Sequence, residues 1–160
     1  MASLDILINI RRIVRSINLE SKKIQKELGL SIPQLLCLKH LSESPDYQTT
    51  HRELMQLLSL NSSTVTGIVN RLEKKSFVAR LPRPDDRRVT AIAITSNGLK
   101  LLQSAPNVLH NELIVKIDNL STQEQESVNR SLQLIIKAME IEDLEASPVI
   151  TAEEPIVEDS

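Results

Sequence analysis

The 160-residue sequence predicts a mostly α fold with a small β-hairpin, and three observations carry that prediction. Only three glycines occur, too few for a turn-rich all-β sandwich, and neither a GxGxxG nor a GxxxxGK phosphate loop is present. Leu, Ile and Val recur at helical spacing through most of the chain, whereas Tyr47 and Phe77 are the only aromatics. The core is therefore aliphatic, and base stacking on aromatic platforms is not expected. One central segment instead alternates β-branched residues after a Pro/Asp/Arg turn, the pattern of a hairpin. The length fits one compact domain with an oligomerisation element and a tail, and excludes a large multidomain enzyme.

Taken in order, Leu7, Ile10, Val14, Ile17, Ile24 and Leu28 follow a seven-residue pattern broken only by Ser21. This predicts a long amphipathic first helix, with Gly29 as its C-terminal cap. Ser31 and Pro33 open a second helix carrying Leu35, Leu38 and Leu41, and Pro45 and Asp46 mark a loop. Thr50 with Glu53 three residues later reads as a capping box before a short third helix with Leu54, Leu57 and Leu58. Asn61 caps a fourth, in which Val65, Ile68, Val69 and Leu72 form the buried stripe. Its other face carries Ser62, Ser63, Thr66, Asn70, Arg71 and Lys74. Phe77 to Leu81 and Val89 to Thr95 are the strands of the hairpin, joined by the turn from Pro82 to Arg88. Thr95 or Ser96 starts a fifth helix bearing Leu99, Leu102, Leu109, Leu113 and Ile117, kinked or split at Pro106. A sixth follows Ser121 and Thr122, with Val128, Leu132, Ile135 and Met139 on one face. From Ala146 onward the acids and prolines leave too little apolar surface to offset ordering entropy, so disorder is expected there.

Charge divides the chain. Residues 138–160 hold eight acids and no Lys or Arg, which leaves 19 bases against 13 acids in residues 1–137, a net of plus 6. The body is basic, compatible with a polyanion partner, although the whole chain sums to minus 2. Cys37, the single cysteine, cannot form an intramolecular disulfide, and Asp5 and Arg11 replace the pattern of a secretory signal. The longest uncharged stretch, 54–70, is interrupted by Gln, Ser, Asn and Thr and is a poor membrane span. A cytoplasmic protein without a membrane partner is expected. Cys37 falls on the apolar side of the second helix among Leu35, Leu38 and Leu41, where a thiol without a nearby cation is inert. His40, His51 and His110 show no metal-ligand spacing, and no nucleophile stands beside a base, so neither metal, cofactor nor catalytic residues are expected.

The third and fourth helices, joined by Ser59, Leu60 and Asn61, match a helix-turn-helix. Small residues on the outer face of its second helix let the backbone approach base edges in a major groove about 12 Å wide. A solvated polar face gives the same pattern, and the hairpin tips the balance. Between Arg71 and Arg88 stand seven bases (Arg71, Lys74, Lys75, Arg80, Arg83, Arg87 and Arg88) against three acids, with four arginines in or beside one turn. Such a tip can reach phosphates or a minor groove, and an adjacent acid can hold an arginine in a fixed pose.

On these residues, Thr50 to Thr95 resembles the winged helix-turn-helix of the MarR family of bacterial transcription regulators. The run STVTGIVNRLEKKSFVARLPRPDDRRVTAIAIT, followed by SNGLKLL, carries the resemblance, most specifically Asp86-Arg87-Arg88, Ile94-Thr95 and Gly98. It extends over about residues 4 to 144 and implies a winged helix-turn-helix lobe (31–95) with dimerisation helices (4–30 and 96–144); the acidic tail (145–160) departs from the family's pattern. It further implies a homodimer that represses by binding a double-stranded, pseudo-palindromic operator, with a cleft that can take a small-molecule effector; with only two aromatics in the chain, either an aliphatic-lined cleft or no effector is expected. Carried over residue by residue, Ser62, Ser63, Thr64 and Thr66 form the groove face. Asn70, Arg71 and Lys74 lie along the backbone-facing edge, and Arg83, Arg87 and Arg88 belong to the wing, with Asp86 orienting an arginine. Ser76 stands where the family usually has glycine, so the fourth helix is expected to end without a left-handed residue. The alternative is a winged-helix dimer serving as a protein interaction scaffold, and a further role for the acidic tail is competition with DNA.

Overall fold

Each predicted helix start is realised in the computed structural model, which describes residues 1–82, 89–105 and 109–146, with 109–111 described by backbone alone. Residues Met1–Ser104 form one compact unit and Ala105–Glu145 a second. Helix α1 (Ala2–Leu28) ends at Gly29, which takes a left-handed φ of 66° and donates its backbone N–H to the Gln25 carbonyl. The next helix, α2 (Ile32–Glu43), begins at a capping box: the Ser31 hydroxyl accepts from the Gln34 backbone at 3.4 Å, and the Ser31 N–H donates to Gln34 Oε1 at 3.0 Å. Thr50 and Glu53 form the same box at the start of α3 (His51–Leu58), with both bonds at 3.2 Å. Ser59, in a left-handed conformation, turns the chain, and Asn61 Oδ1 then accepts from the Thr64 backbone at 2.8 Å to cap α4 (Ser62–Lys74).

The expected hairpin is part of a three-stranded antiparallel sheet among the described residues. Its order is β1 (Gln48–Thr50), β3 (Thr90–Ile94), β2 (Val78–Pro82). The sequence suggested only a loop after Pro45; the structure adds a 3-10 turn at Pro45–Tyr47 and then β1. Three residues are too short to show alternation, and the strand exists because β3 offers it an edge, with Thr49 opposite Ile92. On the other side Val78 faces Ile94 and Arg80 faces Ile92. Pro82 closes β2 at the sheet edge, where its missing N–H removes no ladder bond.

The core of this unit is aliphatic, as composition demands. Leu30, Leu38, Leu41, Leu54, Leu72, Val65, Val69, Val78 and Ile92 are fully buried, each stabilising by about 1.5–3 kcal/mol relative to exposure. Leu57, expected with this stripe, is exposed, because α3 is only eight residues long and buries one edge through Leu54 and Leu58. In α1, burial starts at Ser21 and Ile24; Leu7 and Val14, from the same heptad pattern, are about half exposed.

Helix α5 (Ser96–Ser104) is capped by Thr95, whose hydroxyl accepts from the Gly98 N–H at 3.2 Å. The second unit comprises α6 (Leu109–Asp118) and α7 (Thr122–Ala138). The fifth predicted helix is thus split, and Pro106 lies outside the described residues. Ser121 caps α7 through a capping box with Glu124, whose carboxyl is held below its ordinary range by the Ser121 hydroxyl and then by the Ser121 backbone N–H. Leu113, Val128 and Leu132 are exposed in this unit. No helix among the described residues is long and apolar enough to cross a membrane. The expected disorder of the tail concerns residues 147–160, outside the described set.

Candidate nucleic-acid interface

The outer face of α4 is displayed by packing on its opposite side. Val65, Ile68, Val69 and Leu72 are buried, which leaves Ser62, Ser63, Thr66, Asn70, Arg71 and Lys74 exposed and Thr64 half-buried. The helix therefore presents hydroxyls at its N-terminal half and cations at its C-terminal half. The backbone donors of the first turn and the helix dipole add positive potential at the Ser62 end.

Three side-chain connections fix this helix, and none of them follows from sequence spacing. His51, at the first position of α3, lies with Nε2 3.1 Å from Thr66 Oγ1, and that hydroxyl donates to the Ser62 carbonyl at 2.8 Å. From β2, the Arg80 guanidinium donates to Asn70 Oδ1 at 2.6 Å and to Glu73 Oε1 at 2.8 Å. This engages the oxygen of the Asn70 amide and leaves its NH2 as the group suited to a phosphate. The Arg80–Glu73 pair is partly exposed and contributes little to stability, so its consequence is orientation. Finally, the Lys75 ammonium donates to the Gly29 carbonyl, joining the ends of α4 and α1. The only sequence signal for the Arg80 interaction is an acid, Glu73, on the last turn of a polar helix followed by a short basic strand; distance in sequence hides the partners of His51 and Lys75.

Ser76 corrects an expectation. It does adopt the left-handed conformation, with φ 64°, although it has a side chain. The Ser76 N–H donates to the Glu73 carbonyl at 2.9 Å and the Phe77 N–H to the Leu72 carbonyl at 3.0 Å, the paired bonds of a Schellman ending. The Ser76 carbonyl in turn accepts from the Thr95 hydroxyl at 2.6 Å. These bonds, and Phe77 O accepting from the Thr95 N–H, hold the turn in a conformation that glycine adopts at lower cost. Close approach explains Gly98: a Cβ there would stand 2.5 Å from the Phe77 carbonyl oxygen and 2.7 Å from Ile94 Cγ1.

Of the residues expected to touch DNA, Ser62, Ser63, Thr64, Thr66, Asn70, Arg71 and Lys74 are brought together on one helix. Arg83, Asp86, Arg87 and Arg88 lie outside the described residues; of the strands that flank them, β2 is held against α4 through Arg80 and pairs with β3. Cys37 is fully buried, and burial pushes its thiol up to about 12. His40 is bridged instead, its Nε2 3.5 Å from Thr49 Oγ1, which donates to Glu53 Oε2 at 2.5 Å. Among the described residues no group of His, Cys, Asp and Glu is arranged to hold a metal.

Comparison with known proteins agrees with this geometry. The family model described as MarR family matches residues 30–90. The HTH-type transcriptional regulator MhqR of Bacillus subtilis is 30% identical over 133 residues, covering 83% of this chain and 90% of that protein. An uncharacterised HTH-type regulator of the same organism, YfiV, is 27% identical over 114 residues, 71% of this chain and 70% of its own. Among solved structures, the transcriptional regulator BldR from Sulfolobus solfataricus aligns with a TM-score of 0.58 at 26% identity, over 86% of this chain and 96% of that one. Sco3205, a MarR family regulator from Streptomyces coelicolor solved in complex with DNA, shares the fold with a TM-score of 0.67 at 22% identity, over 88% and 89% of the two chains.

Proposed function

Because the chain belongs to the MarR family of DNA-binding transcription regulators, whose members are not enzymes, we propose that it is a homodimeric repressor acting in the cytoplasm on a pseudo-palindromic operator. The observation that carries this reading is α4: a helix held from behind by four buried aliphatic residues, showing small hydroxyl side chains first and cations last. Two such helices would enter successive major grooves about one helical turn apart, with each wing over a flanking minor groove. In this reading Ser62, Ser63, Thr64 and Thr66 face bases. Asn70, Arg71 and Lys74 face phosphates, and Arg83, Arg87 and Arg88 act from the wing beside Asp86. The apolar half of α1, exposed at Leu7 and Val14, and the exposed Val128 and Leu132 of α7 support dimerisation through residues 4–30 and 96–144, because a single chain leaves them in water. Repression would follow from excluding polymerase, and a small-molecule effector would relieve it.

The wing test is direct. Replacing Arg87 and Arg88 together by alanine weakens binding to operator and scrambled duplex alike and reduces the slope of log affinity against log salt by about one for each phosphate that the wing no longer neutralises. Unchanged operator affinity at moderate salt in that variant would contradict the assignment of the wing.

A further inference from the structure

Thr66 lies exposed in the middle of the α4 outer face, yet its hydroxyl is already engaged. A hydroxyl has one proton. The Ser62 carbonyl has none to give, so at 2.8 Å the Thr66 proton must point at it. Thr66 Oγ1 can then meet His51 Nε2, at 3.1 Å, only as an acceptor, which fixes the proton of the imidazole on Nε2. The bond to Ser62 is common for a threonine within a helix, and by itself leaves the side chain free to change rotamer. The second bond comes from another helix: His51 opens α3, 15 residues earlier, and follows Thr50, whose capping box fixes that turn. The two bonds together remove the hydroxyl as a donor and leave the γ-methyl as the other group that Thr66 carries.

We propose that His51 is a positioning residue that makes Thr66 a methyl reader: it locks the hydroxyl away from DNA, and Thr66 recognises the C5-methyl of thymine through its own methyl group. The proposal rests on α4 being the recognition helix. It assigns the two halves of the helix-turn-helix distinct tasks, with α4 supplying the contact and α3 fixing its rotamer. It also separates Thr66 from Ser63, whose hydroxyl is suited to hydrogen bonding with a base edge.

The test uses the duplex that the full-length protein selects from a random library, synthesised once with thymine and once with uracil, and reads the ratio of the two affinities by fluorescence anisotropy. Wild type is expected to favour thymine about fourfold for each methyl read. Thr66→Val, which keeps the shape and the methyl, keeps both affinity and ratio, whereas Thr66→Ser, which keeps the hydroxyl, loses the ratio. His51→Ala lowers the ratio, and His51→Gln, whose amide nitrogen stands in for Nε2, restores it; a purely structural histidine would change both affinities equally. An unchanged ratio in Thr66→Ser or in folded His51→Ala, or loss of binding in Thr66→Val, would overturn the proposal. If wild type selects a sequence but binds its thymine and uracil forms equally, the methyl reading alone fails; if it selects none, the DNA-binding reading fails with it.

Discussion

At Ser76 and Gly98, two residues show how the ends of α4 and α5 are joined to the sheet, and they make opposite predictions. Ser76 is held at φ 64° by hydrogen bonds in spite of its Cβ, so Ser76→Gly is expected to raise stability by up to about 1 kcal/mol. Gly98 has no such latitude. A Cβ there would press against the Phe77 carbonyl and Ile94, and Gly98→Ala is expected to cost about 1–3 kcal/mol. Urea denaturation of the two variants checks both signs, and a neutral Gly98→Ala would show that α5 shifts freely against the sheet. Cys37 is fully buried among aliphatic side chains. With the thiol pushed up to about 12, only about one molecule in ten thousand carries a thiolate at pH 8. A disulfide reagent is therefore expected to react at least about a hundredfold faster with urea-unfolded protein than with native protein. Equal rates would place the thiol at the surface and contradict its burial.

At the scale of elements, β2 and α4 are coupled through Arg80, which touches Asn70 and Glu73 together. Since Arg80 is engaged with protein groups, Arg80→Ala is expected to leave stability within about 1 kcal/mol of wild type and the salt slope unchanged, while lowering operator affinity through a misplaced Asn70. A slope reduced by about one would mean that Arg80 itself meets a phosphate. The same distinction between local and distant partners explains what was legible in the sequence. Caps were readable because they are local: Ser31 with Gln34, Thr50 with Glu53, and Asn61 each act within three residues. The polar face of α4 was readable as the complement of its aliphatic stripe. Strand β1 was not, because it is three residues long and is defined by a partner more than 40 residues away. The bonds of His51, Arg80 and Lys75 escaped for the same reason, since tertiary packing brings those partners together. Leu57 misled because an apolar residue at helical spacing is buried only if a neighbour covers that side.

For the whole molecule, a basic body and an acidic C-terminal segment coexist in one chain of net charge minus 2. The overall sum says little about DNA binding; what matters is that the cations of α4 and of the hairpin are gathered in one stretch of sequence. Exposed aliphatic residues on α1 and α7 give the reason for proposing a second copy, which would place two recognition helices on one duplex. Sequence-specific recognition is tested most directly by the anisotropy of labelled DNA from the upstream region of the protein's own gene, titrated with purified protein beside a scrambled duplex over a salt series. A regulator of its own gene is expected to bind the upstream fragment tightly, at least about a thousandfold more strongly than the scrambled one, with affinity falling steeply as salt rises. Equal, weak binding of both duplexes at every salt concentration would contradict self-directed regulation; the same result with the duplex selected from the random library would contradict sequence-specific recognition by α4.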